Sequence, residues 1–145
     1  MRTKVTASIT ELKTVLLFCT GNPCCVQMAE TMLNHILSGQ IRALSIAPRP
    51  QPTSEERAIE ALKLAGFAPD SLRPRDLDEV VDEQVDLIIV FETAVSARLP
   101  SIFRSVPRMR IFMEDLQGAP LANYIRARNE IRDRLIPIVR TALEI

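Results

Sequence analysis

Thr14-Val-Leu-Leu-Phe18 is a short unbroken apolar run that stops just before a Gly-Asn-Pro cluster at positions 21–23. A run of that length bounded by turn residues fits a strand buried on both faces, as in the middle of a parallel sheet. After the turn, Val26, Ala29, Leu33, Ile36 and Leu37 recur at helical spacing, with Met28 and Met32 alongside, as far as Gly39. That periodicity predicts a helix, and the glycine stands where a helix stops. The first unit is therefore strand, loop, helix.

Ile41-Arg-Ala-Leu-Ser-Ile46 predicts a second strand, closed by the proline-rich stretch Pro48 to Pro52. Thr53 with Glu56 makes a capping-box pattern, and Ala58, Ala61, Leu62 and Ala65 form a stripe that runs to Gly66, which predicts a second helix. Pro69 to Pro74 reads as loop, Asp76 to Glu83 as a short acidic helix, and Val85 to Phe91 as the clearest buried strand. Thr93 to Phe103 predicts a further helix and Met109 to Met113 a fourth strand. Tyr124, Ile131, Leu135, Ile138 and Ala142 form the stripe of a terminal helix. Pro137 should kink or interrupt that helix, because it removes a backbone donor and crowds the preceding turn. Strands alternating with helices predict an α/β fold, a doubly wound four-stranded parallel sheet with helices on both faces. In such sheets ligands sit beyond the C-terminal ends of the strands, near the point where strand order reverses. Cys19 stands at such an end.

A length of 145 residues with 47% hydrophobic content suits one domain spanning residues 1–145, large enough to bury a core without staples. Eighteen basic and eighteen acidic side chains cancel. With no long run of like charge, neither nucleic acid nor a membrane surface is an expected partner. Met1 to Lys13 lacks an apolar signal core and no apolar run approaches membrane-spanning length, so the expected location is cytoplasmic. The cysteines all fall between Cys19 and Cys25, whereas secreted disulfide frameworks spread theirs along the chain. Adjacent Cys24 and Cys25 are badly placed to join Cys19 on one ion, and His35 is the lone histidine, so neither a metal site nor a cofactor is expected.

The clustering points to local chemistry. A turn feeding a helix N-terminus presents unpaired amides and partial positive charge, a cradle for an anion. Gly21 and Asn22 supply permissive backbone angles. A cysteine on the rim would have its thiolate stabilised by those amides, lowering a pKa of about 8.5 in the free side chain. The alternative for Cys19 is a small buried hydrophobe at a strand end.

Val15-Leu-Leu-Phe-Cys-Thr-Gly-Asn-Pro-Cys-Cys-Val-Gln-Met-Ala-Glu30 resembles the N-terminal signature of the low-molecular-weight tyrosine phosphatases and thioredoxin-coupled arsenate reductases, whose loop is Cys-x5-Arg-Ser/Thr. The Thr-Gly-Asn core and the Gln-Met-Ala-Glu run are more similar to the arsenate reductase branch. Val85 to Phe91 matches the family's third strand, and Met113-Glu-Asp115 resembles the stretch with its general acid. The resemblance implies that Thr20, Gly21, Asn22, Pro23, Cys24, Cys25 and Val26 surround a phosphate-like oxyanion or the phosphate of a substrate. It also implies that Cys19 is the nucleophile and that Asp115 protonates the leaving oxygen. Without the family likeness, Asp115 reads as a solvated loop carboxylate.

Three positions depart from that pattern. Cys25 stands where the family's arginine would clamp two oxygens, and Val26 replaces the hydroxyl residue that stabilises the thiolate. Asp115 is followed by Leu116 rather than proline, with no adjacent aromatic wall for a tyrosine ring. Removing one preorganised donor costs on the order of a hundred to a thousandfold in rate. The relay cysteines of the arsenate reductases are absent from Phe91 to Arg98. The expectation is a divergent relative with weak or lost hydrolysis of phosphomonoesters. The alternative is a redox-sensing or interaction module that uses Cys19, Cys24 and Cys25 with a thiol-redox partner. Cys24 matches the second loop cysteine that some of the phosphatases pair reversibly with the nucleophile. Such a bridge needs alpha carbons within about 7 Å. A phosphocysteine carrier is a third reading, and Arg49 or Arg98 stands as a distant substitute cation.

Overall fold

The first apolar run forms β1, Lys13–Phe18, and the helix after it is α1, Cys24–Ile36. In this computed structural model the described residues are 12–19, 24–46, 56–69, 75–92, 101–114, 116 and 118–145. Then follow β2 (Ile41–Ile46), α2 (Glu56–Leu64), β3 (Leu87–Glu92) and β4 (Arg108–Phe112). The C-terminal rod comprises α3 (Leu121–Glu130), a π-helical segment (Ile131–Leu135) and α4 (Ile136–Leu143). Every strand pair is parallel and the order is β2-β1-β3-β4. Strand order therefore reverses at β1, which pairs on both sides: Val15 lies opposite Ala43 on β2 and Leu87 on β3. This is the doubly wound α/β arrangement that the alternation of strands and helices predicts.

The unbroken apolar run of β1 is explained by its two packed faces. Val15 and Leu17 lie on the face of α1, in one core cluster with Met28, Met32, Leu62, Ile131 and Leu135 from α1, α2 and the terminal rod. Leu16 and Phe18 face the other way and pack with Leu44, Ile88, Val90, Val80 and Phe103. A strand with a hydrophobic layer on each side has no polar face to alternate with.

On that second face the described cover consists of short turns instead of α-helix. The acidic helix expected over 76–83 is only a 3-10 turn, Leu77–Glu79. Asp76 and Glu79 cap each other, the Glu79 amide on Asp76 Oδ1 at 3.2 Å and the Asp76 amide on Glu79 Oε2 at 3.0 Å. A start signal is present, but a cap alone does not carry the cost of helix nucleation over so short a segment. Of the helix expected over 93–103, residues 93–100 lie outside the described residues and Ser101–Phe103 is a 3-10 turn.

The interruption expected at Pro137 takes the form of a wide turn, not a break. The Ile136 amide donates to the carbonyl of Ile131, five residues back, and α4 continues from there. The extra residue in that turn takes the helix past the proline ring, which an unaltered α-helix would drive against a carbonyl. Glu144, at φ 57°, closes α4 in the left-handed conformation. Among the described residues no helix is long and apolar enough to cross a membrane.

The outer edge of β2 is covered by side chains of α1. Asn34 Nδ2 donates to the Ala43 carbonyl at 3.0 Å, and the Ala43 amide donates to Asn34 Oδ1 at 2.7 Å. Two positions on, the Ser45 amide donates to Glu30 Oε1 at 2.7 Å. Backbone groups that an edge strand would otherwise offer to another chain are thereby matched.

Candidate functional site

Cys19 follows the last residue of β1, at the C-terminal end of the strand where the order reverses, and is 4% exposed. Cys24 and Cys25 open α1, at 2% and 7% exposure. The fold thus brings all three thiols to one strand-to-helix junction, inside the core between the sheet and α1. Thr20, Gly21, Asn22 and Pro23, which connect them, lie outside the described residues, as do Asp115, Arg49 and Arg98.

The side chain at the arginine position turns inward. Cys25 Sγ lies 4.0 Å from the carbonyl oxygen of Glu114, in the segment that follows β4. A thiol is a weak donor, so the contact fixes direction more than it adds energy. Met113 and Leu116, on either side of position 115, belong to the same core as Cys25. Val26 is completely buried and has no hydroxyl to turn toward a thiolate.

Two polar features around the junction escaped the sequence reading. Gln27 is 3% exposed and its Nε2 has no hydrogen-bond partner among the described residues. Glu30 accepts from the Ser45 amide, from Ser45 Oγ at 3.0 Å and from the Arg75 guanidinium, with Arg75 bridged to Ile46 at the end of β2. The signal for the second was the spacing of Gln27, Glu30 and Asn34, which places polar groups on one helix flank. Among the described residues no three His, Cys, Asp or Glu side chains are grouped to hold a metal ion.

The family model for low molecular weight phosphotyrosine protein phosphatase matches residues 14–123. The chain belongs to that family. Arsenate reductase 2 of Staphylococcus epidermidis is 30% identical over 127 residues, covering 83% of this chain and 91% of that protein. The crystal structure of an arsenate reductase from Archaeoglobus fulgidus superposes with a TM-score of 0.74 at 26% identity, over 86% of this chain and 98% of that one. The tyrosine phosphatase Wzb from Escherichia coli K30, solved with sulphate, shares the fold at a TM-score of 0.67 and 19% identity, over 92% of this chain and 99% of that one. An arsenate reductase is thus a relative by sequence, and a tyrosine phosphatase shares the fold.

Proposed function

We propose that this chain is a divergent low-molecular-weight phosphatase and arsenate reductase relative that holds a phosphate-like oxyanion in the loop from Cys19 to Val26, with hydrolysis of phosphomonoesters weak or lost. The observation that carries the reading is the inward course of Cys25, whose thiol meets the Glu114 carbonyl where a relative's arginine would face the anion. Amides of the loop and of the first turn of α1 supply the cradle. In any residual turnover the Cys19 thiolate attacks phosphorus, the alkoxide or phenoxide leaves with a proton from Asp115, and water then cleaves the thiophosphate. Clustered cysteines without a disulfide framework suit a reducing compartment, so we assign the chain to the cytoplasm as one domain over residues 1–145.

The test is turnover of p-nitrophenyl phosphate by wild type, Cys19→Ser and Cys25→Arg. Low wild-type activity, lost in Cys19→Ser and raised in Cys25→Arg, is the expected pattern. Wild-type turnover in the ordinary enzymatic range of about 1–1000 per second would overturn the claim of weak activity.

A second reading is favoured by the gathering of three thiols at one junction. In it the chain is a redox or interaction module served by a thiol-redox partner. Two thiols and one hydrogen peroxide would give a disulfide and two waters. Mass spectrometry after mild peroxide treatment should locate a loss of two hydrogens among Cys19, Cys24 and Cys25; three unoxidised thiols would exclude this reading.

A further inference from the structure

Asn34, Glu30 and Gln27 lie on one flank of α1, at spacings of four and three residues that stack their side chains along the helix. The first two are engaged in order along β2: Asn34 with Ala43, then Glu30 with Ser45. Ala43 and Ser45 are alternate residues, so helix and strand climb in step. Gln27 is the next member of the series, and β2 ends at Ile46. The level that Gln27 occupies is therefore at or beyond the end of the strand, on the side where ligands sit in open α/β sheets. Helical side chains lean toward their own N-terminus, which directs this amide toward the opening turn of α1.

Two independent features then coincide at that end. The first turn of α1 has amides without intrahelical acceptors, the ordinary condition of a helix start. Gln27 adds a side-chain donor that is buried and has no acceptor among the described residues. A buried unmatched donor destabilises the fold, which makes it a marker for something absent that would accept from it. Cys25, the position from which a side-chain donor would ordinarily come, is directed at Glu114 instead.

We propose that Gln27 is an oxyanion-binding residue, its Nε2 donating to one oxygen of a tetrahedral oxyanion seated at the start of α1. The proposal rests on the reading of the Cys19 to Val26 loop as an anion cradle and names the side-chain donor of that cradle. A primary amide supplies hydrogen bonds without positive charge, so it orients an oxygen while giving less attraction than a guanidinium.

Titration of inorganic phosphate into the nitrogen-15-labelled full chain tests this directly. The Gln27 side-chain signal is identified by its loss in Gln27→Met, a swap of similar length without the donor. Phosphate should move that signal in wild type, and Gln27→Met should bind phosphate roughly tenfold or more weakly. The same variant should melt at a higher temperature, because it removes an unmatched buried donor. Gln27→Glu should abolish phosphate binding. Equal phosphate affinity of wild type and Gln27→Met, with the Gln27 signal unmoved, overturns the assignment alone. A lower melting temperature together with unchanged affinity also overturns it, making the amide a cap on the chain after β2. Absence of saturable phosphate binding by wild type overturns both this assignment and the cradle reading.

Discussion

The phenol of Tyr124 donates to the carbonyl of Leu116 at 2.8 Å, with both residues buried. This bond ties the segment after β4 to α3, while Cys25 meets the same segment at Glu114. Position 115 is thus flanked by two anchored neighbours. Tyr124→Phe removes one of two donors to that carbonyl, which keeps the Ala119 amide at 2.9 Å, so unfolding stability should fall by about 0.5–1.5 kcal/mol. Chemical denaturation measures it, and an unchanged midpoint would show that the bond adds nothing.

Restoring the family pattern should exchange stability for activity. Cys25→Arg combined with Val26→Ser returns a bidentate cation and a hydroxyl to the loop, and turnover of an aryl phosphate should rise by about a hundredfold over wild type. The substitutions put a charge and a hydroxyl at positions in the core, so the double variant should be less stable by about 1–3 kcal/mol. A folded double variant with no gain in turnover would mean that the missing arginine is not what limits the chemistry.

Glu30 and Arg75 should be unequal partners. Glu30 serves the Ser45 amide, the Ser45 hydroxyl and the guanidinium, so Glu30→Ala strands three donors. Its expected cost is about 2–4 kcal/mol. Arg75→Met leaves the carboxylate still accepting from Ser45, and the pair is partly solvated, so its cost should be nearer 1 kcal/mol. Urea midpoints for the two variants decide the order; a larger loss in Arg75→Met contradicts it.

Asn34 protects an edge. Asn34→Leu leaves the Ala43 amide and carbonyl without their side-chain partner, and stability should fall by about 1–2 kcal/mol. The exposed edge should also raise concentration-dependent association, readable by light scattering. Asn34→Asp keeps the acceptor for the Ala43 amide and should lie between Asn34→Leu and wild type in stability.

Periodicity was a sound guide where burial was simple. β1 and α1 came through within a residue or two, because an unbroken run and a helical stripe reflect burial on two faces and on one. It overreached at Asp76 to Glu83, where the short acidic helix expected from the sequence stops after one 3-10 turn. At Pro137 the effect of proline was foreseen but its form was not, since several local rearrangements can take a helix past a missing donor.

The location of the three thiols was written into the local sequence, because a buried run and a helical stripe separated by a tight turn leave them nowhere but the strand-to-helix junction. What surrounds the thiols depended on packing between distant parts of the chain. Glu114, which Cys25 faces, is 89 positions away, and Ser45, which engages Glu30, is 15 away. That Gln27 Nε2 lacks a partner among the described residues shows only once α1 and β2 are set side by side, a relation between two elements that neither encodes alone. Hydrogen bonding is short-ranged and directional, so the orphan donor appears once strand and helix are set side by side.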